Sequence, residues 1–215
     1  MAKTVAVVDY GMGNLRSVSQ AVALNYLLFG AAGFQKAADG RLSIAATWLL
    51  APYLVAAWLN SRLWTRAHPH ADEVEPGIWL GRIPAPGQAE QFQAQLDLCA
   101  ELPARVQTKA YHSLPLLDLC APSPADCLEA AQAIEALRSH GNLLVYCALG
   151  YSRSATAVAA WLLHSGRCKD VPEALAHLRR ARPQVVLSDA HQQALQGMLE
   201  LSNSSMPTGA AAHGY

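Results

Sequence analysis

Cys147 follows the apolar run NLLVY and stands six positions ahead of Arg153 in the stretch VYCALGYSRSA. A thiol and a guanidinium so placed can act on one anion if the chain folds as strand, loop and helix. A strand ending at Tyr146, a turn at Gly150 and a helix opening at Arg153 would aim successive backbone N–H groups at one point. A phosphate dianion there gains those donors, the positive helix end and a planar guanidinium that grips two oxygens. The same field lowers the pKa of a central thiol, so Cys147 would attack as thiolate. Gly150 lets the backbone turn where a side chain would clash. The Ser154 hydroxyl can hydrogen-bond the sulfur and help it leave. Ala148, Leu149, Gly150, Tyr151 and Ser152 form the rest of the phosphate-binding loop on this reading. Spacing alone is unspecific: CAELPAR sets Cys99 and Arg105 at the same separation, with a proline, no glycine and no helix start. That segment reads as structural.

The elements that must hold these residues are legible from Ala71 onward. GIWLG (77–81), QLDLCAE (95–101) and LPLLDL (114–119) read as strands. PADCLEAAQAIEALRSHG predicts a helix starting near Asp126, with Leu128, Ala131, Ile134 and Leu137 on one face and a stop at Gly141. NLLVY is a continuous apolar strand suited to the centre of a sheet. SATAVAAWLLHSG predicts a buried helix ending at Gly166. DVPEALAHLRRARP predicts another, with Asp170 as N-cap and Pro172 in the first turn. A last amphipathic helix follows Ser188, and the tail from 202 reads as disordered. Strands alternating with helices indicate an α/β domain over residues 71–201.

The amino-terminal part is of another kind. LSIAATWLLAPYLVAAWL (42–59) is 18 residues without a charge, and Arg62 and Arg66 follow it. Such a run predicts a transmembrane segment with its basic end toward the cytoplasm. AVALNYLLFGAAGF (21–34) reads as a second, shorter helix, with QKAADGR as the turn between them. The alternative is two buried helices of a soluble protein. Composition bounds the rest. Lys+Arg 16 balances Asp+Glu 16, and no basic tract suggests nucleic acid. The five cysteines are odd in number and contain no Cys-x2-Cys pair, which argues against a disulfide framework or a structural zinc site. No metal or cofactor is expected.

CALGYSRS resembles the Cys-x2-Gly-x2-Arg-Ser signature of the dual-specificity branch of the protein tyrosine phosphatase superfamily. The similarity extends over about residues 74–200: EPGIWLG resembles the first strand of those domains, and RARPQVVLSDAHQQAL their carboxy-terminal segment. The resemblance implies a mixed central sheet flanked by helices and hydrolysis through a phosphocysteine. It implies a general-acid Asp some thirty residues before the nucleophile. Asp118 in LPLLDLCAPSPAD fits, with Asp126 as runner-up because its position suits a helix N-cap. The chain departs from the family in having Tyr146 where His usually precedes the cysteine, which bears on rate more than reaction type. Its loop also lacks the Lys that lipid-phosphatase members often carry. Some of those relatives keep a cysteine near the place of Cys99, which implies a reversible Cys99–Cys147 disulfide. A buried structural thiol is the plainer reading of Cys99.

VVDYGMGNLRSV, within residues 1–20, resembles the start of the glutamine amidotransferase subunit of imidazole glycerol phosphate synthase. That family needs a Gly-x-Cys-x-Gly elbow and a His-x-Glu pair, and neither is present. A glutaminase is therefore not expected. The leading expectation is a membrane-tethered phosphatase of phosphotyrosine, phosphoserine or phosphothreonine. The alternatives are a lipid or small-molecule monoester phosphatase, a phospho-binding module without turnover, and a sulfurtransferase.

Overall fold

The computed structural model describes residues 20, 22–104, 108 and 110–204; the amidotransferase-like stretch 1–19 and the end of the tail from 205 lie outside them. Two helices, α1 (Ile44–Leu49) and α2 (Ala51–Trp64), precede a five-stranded sheet. The strands are β1 (Asp72–Glu75), β2 (Ile78–Arg82), β3 (Ala94–Cys99), β4 (Ala110–Leu116) and β5 (Leu143–Cys147). Four helices complete the order: α3 (Pro124–Leu137) before β5, then α4 (Arg153–His164), α5 (Val171–Ala181) and α6 (Asp189–Ser204). The sheet order is β1-β2-β5-β3-β4, with β1 antiparallel to β2 and the other pairings parallel. This is the mixed sheet flanked by helices that the sequence implied. Pro115 is tolerated in β4 because that strand is an edge.

Strand β5 is buried along its whole length, and its period-two alternation divides the core. Leu143, Val145 and Cys147 join Ile78, Leu80, Leu96 and Leu98 in the larger cluster, against α3 to α6. Leu144 and Tyr146 turn to the other face, with Ile83, Phe92, Cys99 and Leu102. Ala57 and Trp58 of α2 pack against that second cluster. A third cluster joins Val22, Phe34, Ala46 and Leu50 to Ala100, with Tyr53, Leu54 and Leu117 packed on it.

The transmembrane expectation for 42–59 is corrected here. No helix among the described residues is long and apolar enough to cross a membrane. The uncharged run is broken at Leu50, because Pro52 lacks an N–H and its ring would clash with the carbonyl four residues back. Its apolar residues partly cover the second face of the sheet, which is the reading of buried helices. The second run does not form one regular helix either: a π turn (Asn25–Phe29) leads into a 3₁₀ turn (Gly30–Phe34). The hairpin between the runs does form, closed by a bridge between Lys36 and Leu42. Lys36 anchors it. Its buried ammonium pairs with the equally buried Asp97 at 2.7 Å and donates to the carbonyls of Cys99 and Leu102.

Other boundaries shift by a few residues. Strand β1 was not expected as a separate strand, β3 begins and ends slightly early, and β4 begins four residues before Leu114. The N-cap of α3 is Ser123, not Asp126. Asp126 is the third helical residue and closes a capping box with Ser123. Asp170 caps α5 as expected, accepting from the Glu173 N–H. Residues 202–204, placed in the tail, continue α6.

Candidate active site

Cys147 ends β5 with its side chain almost wholly buried. Its sulfur accepts the Gly150 N–H at 3.2 Å and the Ser154 hydroxyl at 3.3 Å. Gly150 adopts φ +77°, and a Cβ there would lie 2.4 Å from the Gly81 carbonyl carbon in β2. The loop passes so close to the sheet that only glycine fits.

Arg153 opens α4 as the sequence predicted. Its preceding N-cap, Ser152, makes no side-chain cap bond. The Ser152 hydroxyl instead meets His191 Nε2 at 2.9 Å, and His191 Nδ1 meets the Ser188 hydroxyl at 2.7 Å. Burial holds His191 below its usual pKa, so the ring is neutral. The first amides of α4 are thereby left without a side-chain cap and face the loop that holds Cys147, an arrangement suited to an anion.

The Arg153 guanidinium is 2% exposed and held on two edges. Nη1 donates to Glu101 Oε2 and to the Leu116 carbonyl, each at 2.7 Å. Nη2 lies 3.1 Å from Asp118 Oδ1. Nε is buried without a partner, a donor suited to a phosphate oxygen. Burial works most strongly against the arginine's charge, but Glu101 together with Cys99, Asp118 and Cys147 outweighs it and keeps the group firmly protonated. Burial likewise pushes the Glu101 carboxyl up, while Arg153 and hydrogen bonds from its guanidinium and the Asp118 N–H hold it below the ordinary value.

Asp118 therefore stands beside Arg153, with its side chain 42% exposed at the mouth of the site. Asp126, the runner-up acid, is committed to the start of α3, where both the N–H and the hydroxyl of Ser123 donate to it at 2.8 Å. Of the remaining loop residues, Tyr151 stacks under Arg182, whose guanidinium carbon lies 5.1 Å from the ring centroid. Tyr146 points to the opposite face of the sheet from Cys147, where burial and then Asp97 raise its pKa well above the usual value. Cys99 lies in that same cluster, is not disulfide-bonded, and donates to Glu101 at 3.4 Å. Burial and then Glu101 push its pKa upward, so it serves here as a protonated thiol beside the carboxylate. Arg105, which the sequence sets six positions after Cys99, lies outside the described residues.

Two residues were missed by sequence reasoning. Glu101 links β3, the segment of Asp118 and Arg153: it accepts the Asp118 N–H at 2.5 Å and the Tyr26 hydroxyl at 3.2 Å as well. Only its place at the end of an apolar strand hinted at a role. Arg182, in the RARP segment, is wholly buried and clamps the loop from the far side. It donates to the Gly150 carbonyl at 3.0 Å and pairs with Asp72 at 2.6 Å.

The family model for the dual specificity phosphatase catalytic domain matches residues 80–199. Among solved structures, Tk-PTP in its active form is similar at 29% identity, with a TM-score of 0.56, covering 62% of this chain and 98% of that one. Human DUSP28 is similar at 25% identity and a TM-score of 0.54, covering 63% and 96%. Human tyrosine phosphatase-like serine/threonine/tyrosine-interacting protein, at 18% identity and a TM-score of 0.55, shares the fold. The family match spans more than half of the chain and contains Cys147, Arg153 and Asp118. The chain belongs to the dual specificity phosphatase family and is a cysteine-based phosphatase.

Proposed function

We propose that this phosphatase acts on phosphotyrosine and on phosphoserine or phosphothreonine in proteins, with Cys147 as nucleophile and Asp118 as general acid. The supporting observation is that the Cys147 sulfur accepts from the Gly150 N–H and the Ser154 hydroxyl in the loop that leads into the uncapped start of α4, where Arg153 keeps a buried Nε without a partner.

The Cys147 thiolate attacks phosphorus, the P–O ester bond breaks, and the electron pair leaves on the substrate oxygen. Asp118 gives that oxygen its proton. Arg153 and the loop amides hold the equatorial oxygens as charge develops. A substrate dianion competes with Asp118 for Nη2, which frees the acid to act. Water, deprotonated by Asp118, then attacks the phosphocysteine. The P–S bond breaks, and the Ser154 hydroxyl stabilises the departing thiolate. Phosphate and the original enzyme result.

A lysine-free loop supplies few cations for a second phosphate, which favours simple monoesters over polyphosphorylated inositol lipids. Phosphate release by the full chain from phosphotyrosyl and phosphothreonyl peptides, beside a phosphoinositide series, tests the reading. Turnover of both peptides is expected. Turnover confined to the lipids would replace it with a lipid phosphatase.

A further inference from the structure

The outer surface of residues 24–64 is apolar where a soluble domain would be polar. Eleven of the fourteen large hydrophobic residues exposed among the described residues fall in this segment. Helix α2 shows the pattern most clearly. Trp58 packs against the sheet and Ser61 is buried, yet Val55, Leu59 and Leu63 form an exposed stripe at intervals of four. In α1, Ala46 is buried, as is Leu50 just after the helix, while Ile44 and Trp48 are 80% and 79% exposed. A helix apolar on both sides has one face left to cover. Exposed apolar surface concentrated in this way marks an interaction site.

Its surroundings indicate the occupant. Trp48 and Trp64 are both largely exposed, and tryptophan is favoured at the boundary between lipid and water. No acidic residue occurs between Asp39 and Asp72, whereas Arg41, Arg62 and Arg66 do. Arg41 is partly offset by Asp39 at 3.7 Å, which leaves the excess charge near the end of α2, where Arg66 is exposed. A second copy of this chain would set those cations against their own kind. An anionic lipid surface complements them.

We propose that residues 24–64 dock the protein onto the surface of an anionic bilayer, lying in the interface without crossing it. Apolar side chains enter the headgroup boundary, and the exposed Arg41 and Arg66 meet lipid phosphates. Anionic lipid is characteristic of the cytoplasmic leaflet, which sets the catalytic domain on that side. The docking surface also borders the loop that carries Asp118. Leu117 packs on the cluster that contains Val22 and Phe34, and Leu119, next to Asp118, is 87% exposed.

The test is sedimentation of the full chain with vesicles of phosphatidylserine and phosphatidylcholine, and with phosphatidylcholine alone. The expected result is binding to the anionic vesicles that weakens with salt. Replacing Val55 and Leu63 by Glu should reduce it about tenfold or more. Both residues are exposed and remote from the reacting atoms, so hydrolysis of a soluble aryl phosphate should be unchanged, which also shows that the variant folds. Three results overturn the proposal: no binding to either vesicle, binding unaffected by the double substitution, or a wild-type dimer in light scattering that the substitution converts to monomer.

Discussion

Glu101 holds Arg153 through a 2.7 Å hydrogen bond in which both side chains are almost entirely buried. The pair joins the end of β3 to the start of α4 and fixes the guanidinium before substrate arrives. Removing one partner of a buried pair strands the other charge, at a cost of about 3–5 kcal/mol. Glu101→Ala is therefore expected to lower the melting temperature steeply. Glu101→Gln keeps the shape and an acceptor, and should chiefly lower kcat/KM.

The pair also sets a pH dependence. The folded-state pKa of Glu101 lies below its ordinary value of 4.5. The unfolded chain therefore binds the proton more readily, and stability from this group is complete above that value. It is lost as pH falls below 4.5 toward the lower folded pKa. Denaturant titrations between neutral pH and acid should show wild type losing more stability than Glu101→Gln in that window.

Asp118 and Asp126 should separate cleanly. Asp118→Asn is expected to lower kcat by about 10²–10⁴ for esters with poor leaving groups and much less for p-nitrophenyl phosphate. Asp126→Asn loses the charged half of a capping box and should cost about 1 kcal/mol of stability with kcat unchanged. Steady-state rates on two leaving groups, with a melting curve for each variant, check this.

Gly150→Ala should fail for a stated geometric reason. Its Cβ would meet the backbone of Gly81 and Arg82 at 2.4–2.7 Å, a clash relieved only if β2 itself moves. A destabilised protein with little activity is expected. Wild-type kcat and melting temperature in this variant would mean that the loop runs elsewhere.

The amino-terminal segment should prove part of the catalytic domain's fold. Lys36→Met leaves the buried Asp97 without its cation, with neutral donors such as the Tyr111 hydroxyl and the Cys99 N–H, and should cost about 3–5 kcal/mol. A chain begun at residue 71 should unfold at lower temperature still, because Leu144, Tyr146 and Phe92 lose their cover. Thermal unfolding of the full chain beside both variants measures the difference.

The strand, turn and helix around Cys147 were legible because the pattern is local: Cys147, Gly150, Arg153 and Ser154 lie within one unit whose apolar strand, glycine and helix start the sequence displays. Asp118 was placed by the family resemblance and its position at the end of a strand. Glu101 and Arg182 were not foreseen, since their partners are 52 and 32 residues away along the chain and no spacing rule connects them. The segment 42–59 was misread because hydropathy cannot tell lipid from the uncovered face of a sheet. The apolar faces of Leu144 and Tyr146 supply the cover, and Pro52 was the local sign that one unbroken helix would not form.

The central claim is that Cys147 is the nucleophile. The most direct measurement is hydrolysis of an aryl phosphate by the full chain in EDTA, with rapid acid quench and mass analysis of the peptide containing Cys147, beside Cys147→Ser. The account predicts turnover in EDTA, a phosphate adduct on Cys147, and neither in a folded Cys147→Ser protein. Turnover that persists in that variant, or that EDTA abolishes, would contradict it.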